Sequence, residues 1–389
     1  EILYQDILAK ANNECDHELA RHVANESAKT VDWLVDRHKL PLSCISDFTY
    51  PGHTVPHMHA SPSRFGAELL TVFLQAITNE GIDIATSAHV TDLFSDRDGR
   101  VRGVRITRPD GKHEDVGCEA LVLACNGYGG NKELLKKYIP EIVDAHYHGH
   151  DGNQGDAVLW GEQLEASIKD MGSFQGHGAV ITPHNIHLGW PSITEGGFQV
   201  NKDGVRFSDE NHGYSEQALN VVRQSGRVAW TIWDQRCQDM AIQMHSHQEA
   251  MKADAIKKCE TVAELAQAIG CDEAALQQTM DENAEMCGGT REDSFGRNFA
   301  KHPPLAPPYY IAKIQGALFH TQGGLEVNTE ARVLKNDGTT FPNLFAGGGA
   351  ARGFSGPADW GYLSGSGLMS ATNLGRLAGE AAADLVAKS

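Results

Sequence analysis

Residues 319–377 read FHTQGGLEVNTEARVLKNDGTTFPNLFAGGGAARGFSGPADWGYLSGSGLMSATNLGRL. In this stretch we predict, in order, a strand over residues 325–333, a turn at 335–338, a buried strand at 344–346 and a helix over 368–385. Lys335, Asn336, Asp337 and Gly338 suit a tight turn because Asn, Asp and Gly tolerate positive φ. The buried strand ends in three glycines, and the helix opens with Ser and Gly. Such a helix start leaves backbone N–H groups free for an anion or an electron-rich carbonyl.

The composition fits a large α/β enzyme. The chain has 389 residues, of which 41% are hydrophobic and 41 are glycine. A chain of this length can bury a sizeable core, and the length predicts two domains. The formal charge of −18 argues against nucleic acid and against an anionic membrane surface as partners. No apolar run approaches the roughly 20 residues that a membrane span needs. We therefore expect a small-molecule substrate, with no nucleic acid and no membrane span.

The eight cysteines are scattered through the chain and form neither CxxC nor CxxCH. This spacing excludes a c-type haem segment and offers no zinc site. Free cysteines in an acidic chain favour a reducing compartment, so the prediction is cytoplasmic.

The first third of the chain alternates helices and strands. Periodicity predicts helices over residues 1–37 and 63–77. Strands follow at 81–94 and 101–107, joined by a turn, and a wholly apolar strand at 120–124 runs into the glycine turn that begins at Cys125. Farther along, residues 259–288 read as a polar helical segment with a capping box at its start.

A loop rich in proline and glycine contains His53, His57 and His59. One interpretation is a metal cluster. The other is a loop that covers a cofactor or faces solvent. We favour the second and predict no metal, because no carboxylate or cysteine follows these histidines at ligand spacing.

Several blocks, in order, resemble the fumarate reductase/succinate dehydrogenase flavoprotein superfamily. They are His320-Thr321-Gln322-Gly323-Gly324, Asn343-Leu344-Phe345-Ala346-Gly347-Gly348 and Ser366-Gly367-Leu368-Met369. The resemblance implies FAD as cofactor, with the N-terminus of the last helix aimed at the flavin ring. The implied cofactor-binding residues are Asn126, Gly127, Gly130, Asn131, Asp156, Gly347, Gly348, Ser366, Gly367 and Leu368.

The resemblance also implies an α/β fold with a Rossmann-like FAD-binding domain and an inserted α+β capping domain. We expect the first part of the FAD-binding domain at 1–171, the capping or substrate domain at 172–318, and the C-terminal part of the FAD-binding domain at 319–389. The FAD-binding domain is incomplete at its N-terminus, because no strand, GxGxxG and helix open the chain. The missing segment belongs to a separate fragment or subunit, lies outside this sequence, or is lacking. We favour the first two, since the remaining strands would otherwise leave apolar surface uncovered.

The departures from the family pattern point to the substrate. Where fumarate-type members have the two arginines that hold a dicarboxylate, this chain has Tyr214 and Tyr362, and Phe198 replaces the arginine of the proton relay. Losing the guanidinium groups removes the bidentate grip on carboxylates. Two tyrosines at these places are similar to the 3-ketosteroid dehydrogenases. The resemblance makes Tyr214, His320, Tyr362 and His177 the catalytic candidates.

The hypothesis is therefore a FAD-dependent ene-reductase or dehydrogenase acting on CH–CH groups. The resemblance implies hydride transfer between flavin N5 and the carbon β to a carbonyl, in a cyclic ketone or steroid-like compound. Tyr214 would exchange a proton, while His177, His320 or Tyr362 would stabilise the carbonyl oxygen. The alternative is a flavin-free relative that acts as a binding subunit or as a lyase or hydratase.

Overall fold

A computed structural model describes residues 1–46 and 49–388 of the chain. The helices are α1 (Ile2–Lys10), α2 (His17–Asp32), α3 (Gly66–Asn79), α4 (Lys132–Tyr138), α5 (Asp156–Gln163), α6 (Pro191–Thr194), α7 (Tyr214–Val222), α8 (Gln235–Ala241), α9 (His245–Lys252), α10 (Val262–Ile269), α11 (Glu273–Cys287) and α12 (Ser366–Ala387). The strands are β1 (Ser43–Cys44), β2 (His59–Ala60), β3 (His89–Ser95), β4 (Val101–Thr107), β5 (His113–Gly117), β6 (Leu121–Leu123), β7 (His146–Tyr147), β8 (Ile168–Lys169), β9 (Phe174–Ile181), β10 (Ile186–His187), β11 (Phe198–Val200), β12 (Val228–Asp234), β13 (Lys257–Cys259), β14 (Tyr309–Thr321), β15 (Gly324–Leu325), β16 (Arg332–Leu334) and β17 (Thr340–Ala346).

The described chain divides into two compact units. The first unit comprises Glu1–Ile139, Gly149–Phe174 and His320–Ser389, and the second comprises Pro140–His148 and Gln175–Phe319. Each unit has its own apolar core. The mixed helix and strand architecture agrees with the predicted α/β class.

The first unit is built around a small sheet in the order β16-β17-β6. β17 and β6 run parallel, with Leu344 opposite Leu121. A second sheet, β3-β4-β5, is antiparallel throughout. α12 packs on α2 and on β17, and its Leu374 and Ala378 are fully buried in the core of this unit.

The second unit is organised on the long strand β14. The sheet order is β10-β9-β14-β12-β11, and β13 and β7 also pair with β14. β12 pairs with β14 in an antiparallel register over seven residues, from Val228 opposite Gln315 to Asp234 opposite Tyr309. The core of the unit contains Trp190 and Trp233, which lie against aliphatic side chains of the sheet and helices.

The structure corrects several predicted elements. The predicted strand over 325–333 is instead two short strands, β15 and β16, with a turn between them. The side chain of Asn328 causes this break, since its Oδ1 accepts hydrogen bonds from the backbone N–H groups of Glu330 and Arg332. Ala331 accordingly has φ of +58°. The helix predicted over 1–37 is interrupted after α1, where Asn12 and Asn13 both take positive φ.

Other elements match with shifted ends. The turn at 335–338 is confirmed, with a hydrogen bond from Gly338 N to Lys335 O. α12 begins at Ser366, two residues before the predicted start, and the buried strand extends back to Thr340. β5 was not predicted, because all five of its residues are exposed and it carries no buried apolar face. Among the described residues, none of the helices has the length and apolar character required to span a bilayer.

Candidate functional site

Two glycine turns meet at one edge of the parallel strands in the first unit. β6 leads into the turn at Asn126 and Gly127, and β17 leads into Gly347, Gly348 and Gly349. In open α/β sheets, ligands bind outside the carboxyl ends of parallel strands. The structure therefore brings these predicted cofactor residues to the edge where a dinucleotide is expected.

The two turns approach so closely that side chains cannot fit between them. A Cβ on Gly127 would lie 2.1 Å from Oγ1 of Thr321, and a Cβ on Gly349 would lie 2.3 Å from Oδ1 of Asn126. Thr321 Oγ1 also accepts a hydrogen bond from the backbone N–H of Tyr128 at 3.1 Å. Glycine at these two positions is therefore required for the two turns and Thr321 to pack this closely.

A second loop joins the first glycine turn. The backbone N–H of Gly155 donates to the carbonyl of Gly127 at 3.1 Å, and Gly130 N donates to Asn153 O at 2.9 Å. Asn131 caps α4 by accepting hydrogen bonds from the N–H groups of Glu133 and Leu134, so its side-chain oxygen serves the helix. Asp156 begins α5, and burial raises the pKa of its carboxyl group. Whether these residues contact a cofactor stays a prediction.

The start of α12 gathers the remaining first-unit candidates. Gly367 packs against His320, whose Cε1 is 2.8 Å from the position of a Cβ on that glycine. The rings of His320 and Tyr362 meet edge to face, with centroids 5.7 Å apart. Ser366 is buried and donates its hydroxyl to the carbonyl of Leu363, whereas Leu368 is 71% exposed. The structure thus brings His320, Tyr362 and Gly367 together and points Leu368 outward.

The protonation of His320 follows from its neighbours. Its Nδ1 lies 2.9 Å from the amide nitrogen of Gln322 and 3.4 Å from the carbonyl oxygen of Thr321. The shorter contact requires an unprotonated Nδ1, so Nε2 carries the proton. Burial lowers the pKa of His320 to about 4, which keeps the ring neutral at pH 7. His320 is therefore a neutral hydrogen-bond donor through Nε2.

Tyr362 is also a donor rather than a base. Burial raises its pKa to about 12, although hydrogen bonds from the backbone N–H groups of Gly367 and Gly365 act in the opposite direction. These N–H groups belong to the first turn of α12 and its cap. The phenol oxygen therefore accepts hydrogen bonds from two of the N–H groups that a helix start leaves without a partner inside the helix. The phenol keeps its proton at neutral pH and can donate it.

The candidates of the second unit form an aromatic cluster around His177. The imidazole stacks on Tyr214 and on Phe319, at centroid distances of 5.1 and 5.2 Å, and meets Trp190 edge to face at 5.3 Å. Tyr214 is the first residue of α7 and is half-buried. The cluster is therefore apolar and aromatic around one phenol.

Both ring nitrogens of His177 are occupied. The N–H of Ala179 donates to Nδ1 at 3.1 Å, so Nε2 carries the ring proton. Nε2–H donates to Nε2 of His187 at 2.9 Å, and Nδ1–H of His187 then faces Ser246 Oγ at 3.2 Å. Burial holds the pKa of His177 well below its ordinary value and lowers that of His187 to about 4. This geometry suits His177 to orienting Tyr214, and its predicted catalytic role stays a prediction.

Sequence reasoning missed His187, Trp190 and Phe319. A signal for His187 existed in the hairpin of β9 and β10, where His187 lies opposite Val180 across a short turn. The turn residues Pro183 and Asn185 indicate such a hairpin, which would have placed the second histidine near the first.

The arginines of the second unit are engaged elsewhere. Arg206 and Arg297 are buried and share the carboxylate of Glu210, at nitrogen–oxygen distances of 2.9 Å. Burial alone would raise the pKa of Glu210, but the two guanidinium groups hold it below its ordinary value. Arg227, Arg236 and Arg291 pair with Asp144, Asp234 and glutamates of α11, and Arg223 is exposed at the far end of α7 from Tyr214.

Comparison with known proteins identifies the family of the chain. The family model described as FAD binding domain matches residues 3–367. The probable fumarate reductase Ifc3 of Shewanella frigidimarina is 28% identical over 392 residues, which cover 98% of this chain and 64% of that protein. The 4-oxocyclohex-2-ene-1-carboxylate 5-dehydrogenase of Sinomonas cyclohexanicum is 27% identical over 339 residues, which cover 77% of this chain and 57% of that protein.

A solved structure extends the match to the fold. The open conformation of a flavocytochrome c3 fumarate reductase superposes with a TM-score of 0.81 at 28% identity, covering 98% of this chain and 67% of that one. The chain spans less than two thirds of the length of each of the two curated relatives. It belongs to the FAD-binding domain family, within the fumarate reductase/succinate dehydrogenase flavoprotein superfamily.

Proposed function

We propose that this chain carries the active site of a FAD-dependent oxidoreductase that reduces or forms a carbon–carbon double bond next to a carbonyl. The substrate is a ketone without the two carboxylates of fumarate, and a cyclic enone is the class we favour. Bound FAD supplies the hydride acceptor or donor. The 4-oxocyclohexene carboxylate named for one relative is a compound of this class.

The observation that carries the proposal is that the ring contacts of Tyr214 are aromatic and that, among the described residues, no arginine is placed there to bind carboxylates. Holding a dicarboxylate requires guanidinium groups in a fork geometry. Five of the six arginines of the second unit are already paired with carboxylates or carbonyls, and Arg223 lies at the opposite end of α7. His177 and Trp190 contact the ring of Tyr214, and Phe319 stacks on His177. An aromatic wall favours an apolar ring over a small dianion.

We assign the other steps of the reaction to the four catalytic candidates. Tyr362 and the Nε2–H of His320 are neutral donors that suit the carbonyl oxygen, where charge develops during hydride transfer. Tyr214 suits proton exchange at the carbon α to the carbonyl, and His177 holds its ring by stacking. Burial keeps His320 neutral, which avoids placing a full positive charge beside the substrate ring.

We also propose a partner for the exposed apolar surface of the first unit. α3 has no buried residue although one broad face of this amphipathic helix is apolar, and Leu70 and Leu74 are 58% and 45% exposed. β6 is an end strand of its sheet in the described chain. A strand, glycine loop and helix segment that carries the dinucleotide motif would extend such a sheet and cover apolar surface. We infer that this segment completes the FAD site.

We also propose the cellular compartment of the protein. All eight cysteines are free, and four of them lie in the second unit without forming a disulfide. Free thiols throughout a chain favour a reducing compartment, and we propose the cytoplasm.

The test is turnover by the FAD-loaded protein with a reduced viologen dye as electron donor. We expect reduction of 4-oxocyclohex-2-ene-1-carboxylate or cyclohexenone, and no reduction of fumarate. Tyr214→Phe should lower enone turnover by about 100-fold or more, because general acid catalysis contributes that much, while the flavin content stays at the wild-type level.

Tyr310→Phe is the matched control, since it removes another phenol of the second unit, one that donates to Gln235. Its turnover should stay close to wild type. Fumarate reduction at a rate equal to that of the enones would overturn the substrate class. Normal turnover by Tyr214→Phe would remove the proton-transfer role from this tyrosine.

A further inference from the structure

Asp6, His53 and His57 come together in the first unit. Asp6 lies on α1, and both histidines lie in the loop before β2. One ligand atom from each residue, a carboxylate oxygen or a ring nitrogen, falls within 4.8 Å of the other two. The carboxylate that the sequence pattern lacked after the histidines is supplied by a helix about 50 residues before them.

The hydrogen bonds of His53 leave one ring nitrogen with a lone pair that could coordinate a metal ion. Nε2 lies 3.0 Å from the carbonyl oxygen of Ser364, which can only accept, so Nε2 carries the proton. Nδ1 then has a lone pair. That atom is buried and has no hydrogen-bond partner among the residues that the structure describes. A ligating histidine characteristically donates its other ring N–H to a carbonyl or carboxylate in this way.

The carboxylate of Asp6 is also held in place by Thr54. Asp6 is 3% exposed, and its Oδ2 accepts a hydrogen bond from the N–H of Thr54 at 3.0 Å. The hydroxyl of Thr54 donates to Oδ1 at 2.9 Å. His57 Nε2 lies 3.1 Å from Oδ2, a separation that two ligands of one metal ion also show.

A simple ion pair explains only part of this arrangement. A charged His57 beside Asp6 would account for the 3.1 Å contact. It leaves the buried Nδ1 of His53 without a partner among the described residues, and an unpaired buried polar atom destabilises the fold. A cation placed among the three ligand atoms satisfies both features.

We propose that Asp6, His53 and His57 bind one divalent transition metal ion of the zinc class. Two imidazole nitrogens select zinc and similar ions over magnesium or calcium, which prefer oxygen ligands. Three protein ligands leave a fourth position for water. This site is separate from the residues assigned to FAD and to the reaction.

The consequence for the fold is a clamp on the start of α12. Ser364 precedes that helix, and Gly52 and Met58, on either side of the histidines, touch the same segment. A Cβ on Gly52 would lie 2.9 Å from Leu363, and Sδ of Met58 lies 2.6 Å from the Cβ position of Gly365. A bound metal ion would tie this loop to α1 and fix it against the residues that flank Tyr362.

The test is zinc uptake by the full chain with its FAD. After removal of metal with a chelator, the protein is dialysed to equilibrium against Zn²⁺ and its metal content is determined by elemental mass spectrometry. We expect about one Zn²⁺ per chain, and a Tm that rises with zinc concentration because the ion binds the folded state. Absence of zinc uptake by the wild type overturns the proposal.

Substitutions assign the ligands. Asp6→Asn and His53→Gln should each weaken zinc affinity by at least about tenfold. His59→Ala is the matched control, because His59 is exposed at the start of β2 and is not one of the three ligand residues, and the zinc affinity of this variant should equal that of the wild type. If Asp6→Asn does not fold, His57→Gln replaces it. Zinc affinity that is equal in the wild type and in the ligand variants would show binding elsewhere and reject the site.

Discussion

At the scale of single residues, the pair of His177 and His187 shows how backbone donors fix the state of a titratable group. Ala179 N–H can only donate, so it determines which nitrogen of His177 is unprotonated, and the tautomer of His187 follows. Both rings lie where a positive charge would be desolvated and would face the other ring. The neutral state of the pair is therefore a property of the fold.

This pair should make the protein sensitive to mild acid. The pKa of His187 is about 4 in the folded protein and 6.5 as its ordinary value. Between these values the unfolded chain binds more protons, so the free energy of unfolding is intact above pH 6.5 and falls as the pH drops toward 4. From pH 7 to pH 5, His187 alone should cost about 2 kcal/mol.

Urea unfolding at pH 7 and pH 5, followed by tryptophan fluorescence, measures this loss. His187→Gln removes the titrating group and should reduce the difference between the two pH values by about 2 kcal/mol. His184→Gln, which replaces the exposed histidine in the turn of the same hairpin, should leave the difference unchanged. A pH dependence that is the same in His187→Gln and in the wild type contradicts the assignment.

The candidate residues could be predicted from sequence better than their partners. Tyr214, Tyr362 and His320 stood out because each occupies a place in a family block. The hydrogen bonds that set the state of the histidines did not stand out. Gln322 lies in the same block as His320, but its bond to Nδ1 is not visible in the pattern, and His187, the partner of His177, lies outside every block. Asp6 is the clearest case, because a ligand drawn from a distant helix is invisible to a search by spacing.

At the scale of elements, the strand–turn–helix stretch 340–387 was predictable because its signals are local. A short apolar run, three glycines and a Ser-Gly helix start each favour one conformation. The stretch 325–333 was mispredicted because apolar alternation competes there with the side chain of Asn328. Its Oδ1 accepts two backbone hydrogen bonds and closes a turn.

The close contact of the two glycine turns leads to a prediction for Gly127. Gly127→Ala places a methyl group 2.1 Å from Thr321 Oγ1 and 3.3 Å from the carbonyl oxygen of Gly349. The turn must move away from Thr321, at a cost of about 1–3 kcal/mol for such overpacking. We expect a lower Tm and a lower FAD content in the purified protein, measured from its visible absorption.

Gly379→Ala is the control for this substitution. Gly379 lies in α12, and an added Cβ there meets no atom within 4 Å. Alanine at an open helical position should stabilise the helix slightly, by up to about 1 kcal/mol, with unchanged FAD content. Equal FAD content and Tm in Gly127→Ala and Gly379→Ala would mean that the turns have room that the contact distances exclude.

At the scale of the whole molecule, α3 differs from the other long helices in how much of its apolar surface is exposed. α2 and α12 bury residues in the core of the first unit, whereas α3 buries none. An amphipathic helix such as α3 normally buries its apolar face against a core. The formal charge of −18 favours solubility through repulsion between molecules, but it does not cover this local surface.

The exposed surface of α3 predicts how the 389-residue chain behaves on its own. Leu70→Glu with Leu74→Glu should leave the free energy of unfolding within about 0.5 kcal/mol of the wild type, because neither side chain is buried. The same double variant should bind less of an apolar fluorescent dye and associate less at high concentration. Dye fluorescence, light scattering and urea unfolding measure the three quantities.

Leu135→Glu, at a side chain that is 3% exposed in α4, is the contrasting variant and should destabilise by several kcal/mol, since it buries a charge. A comparable loss of stability in the α3 variant would show that these leucines are covered within the chain, and the proposed partner segment would then have no surface to cover there.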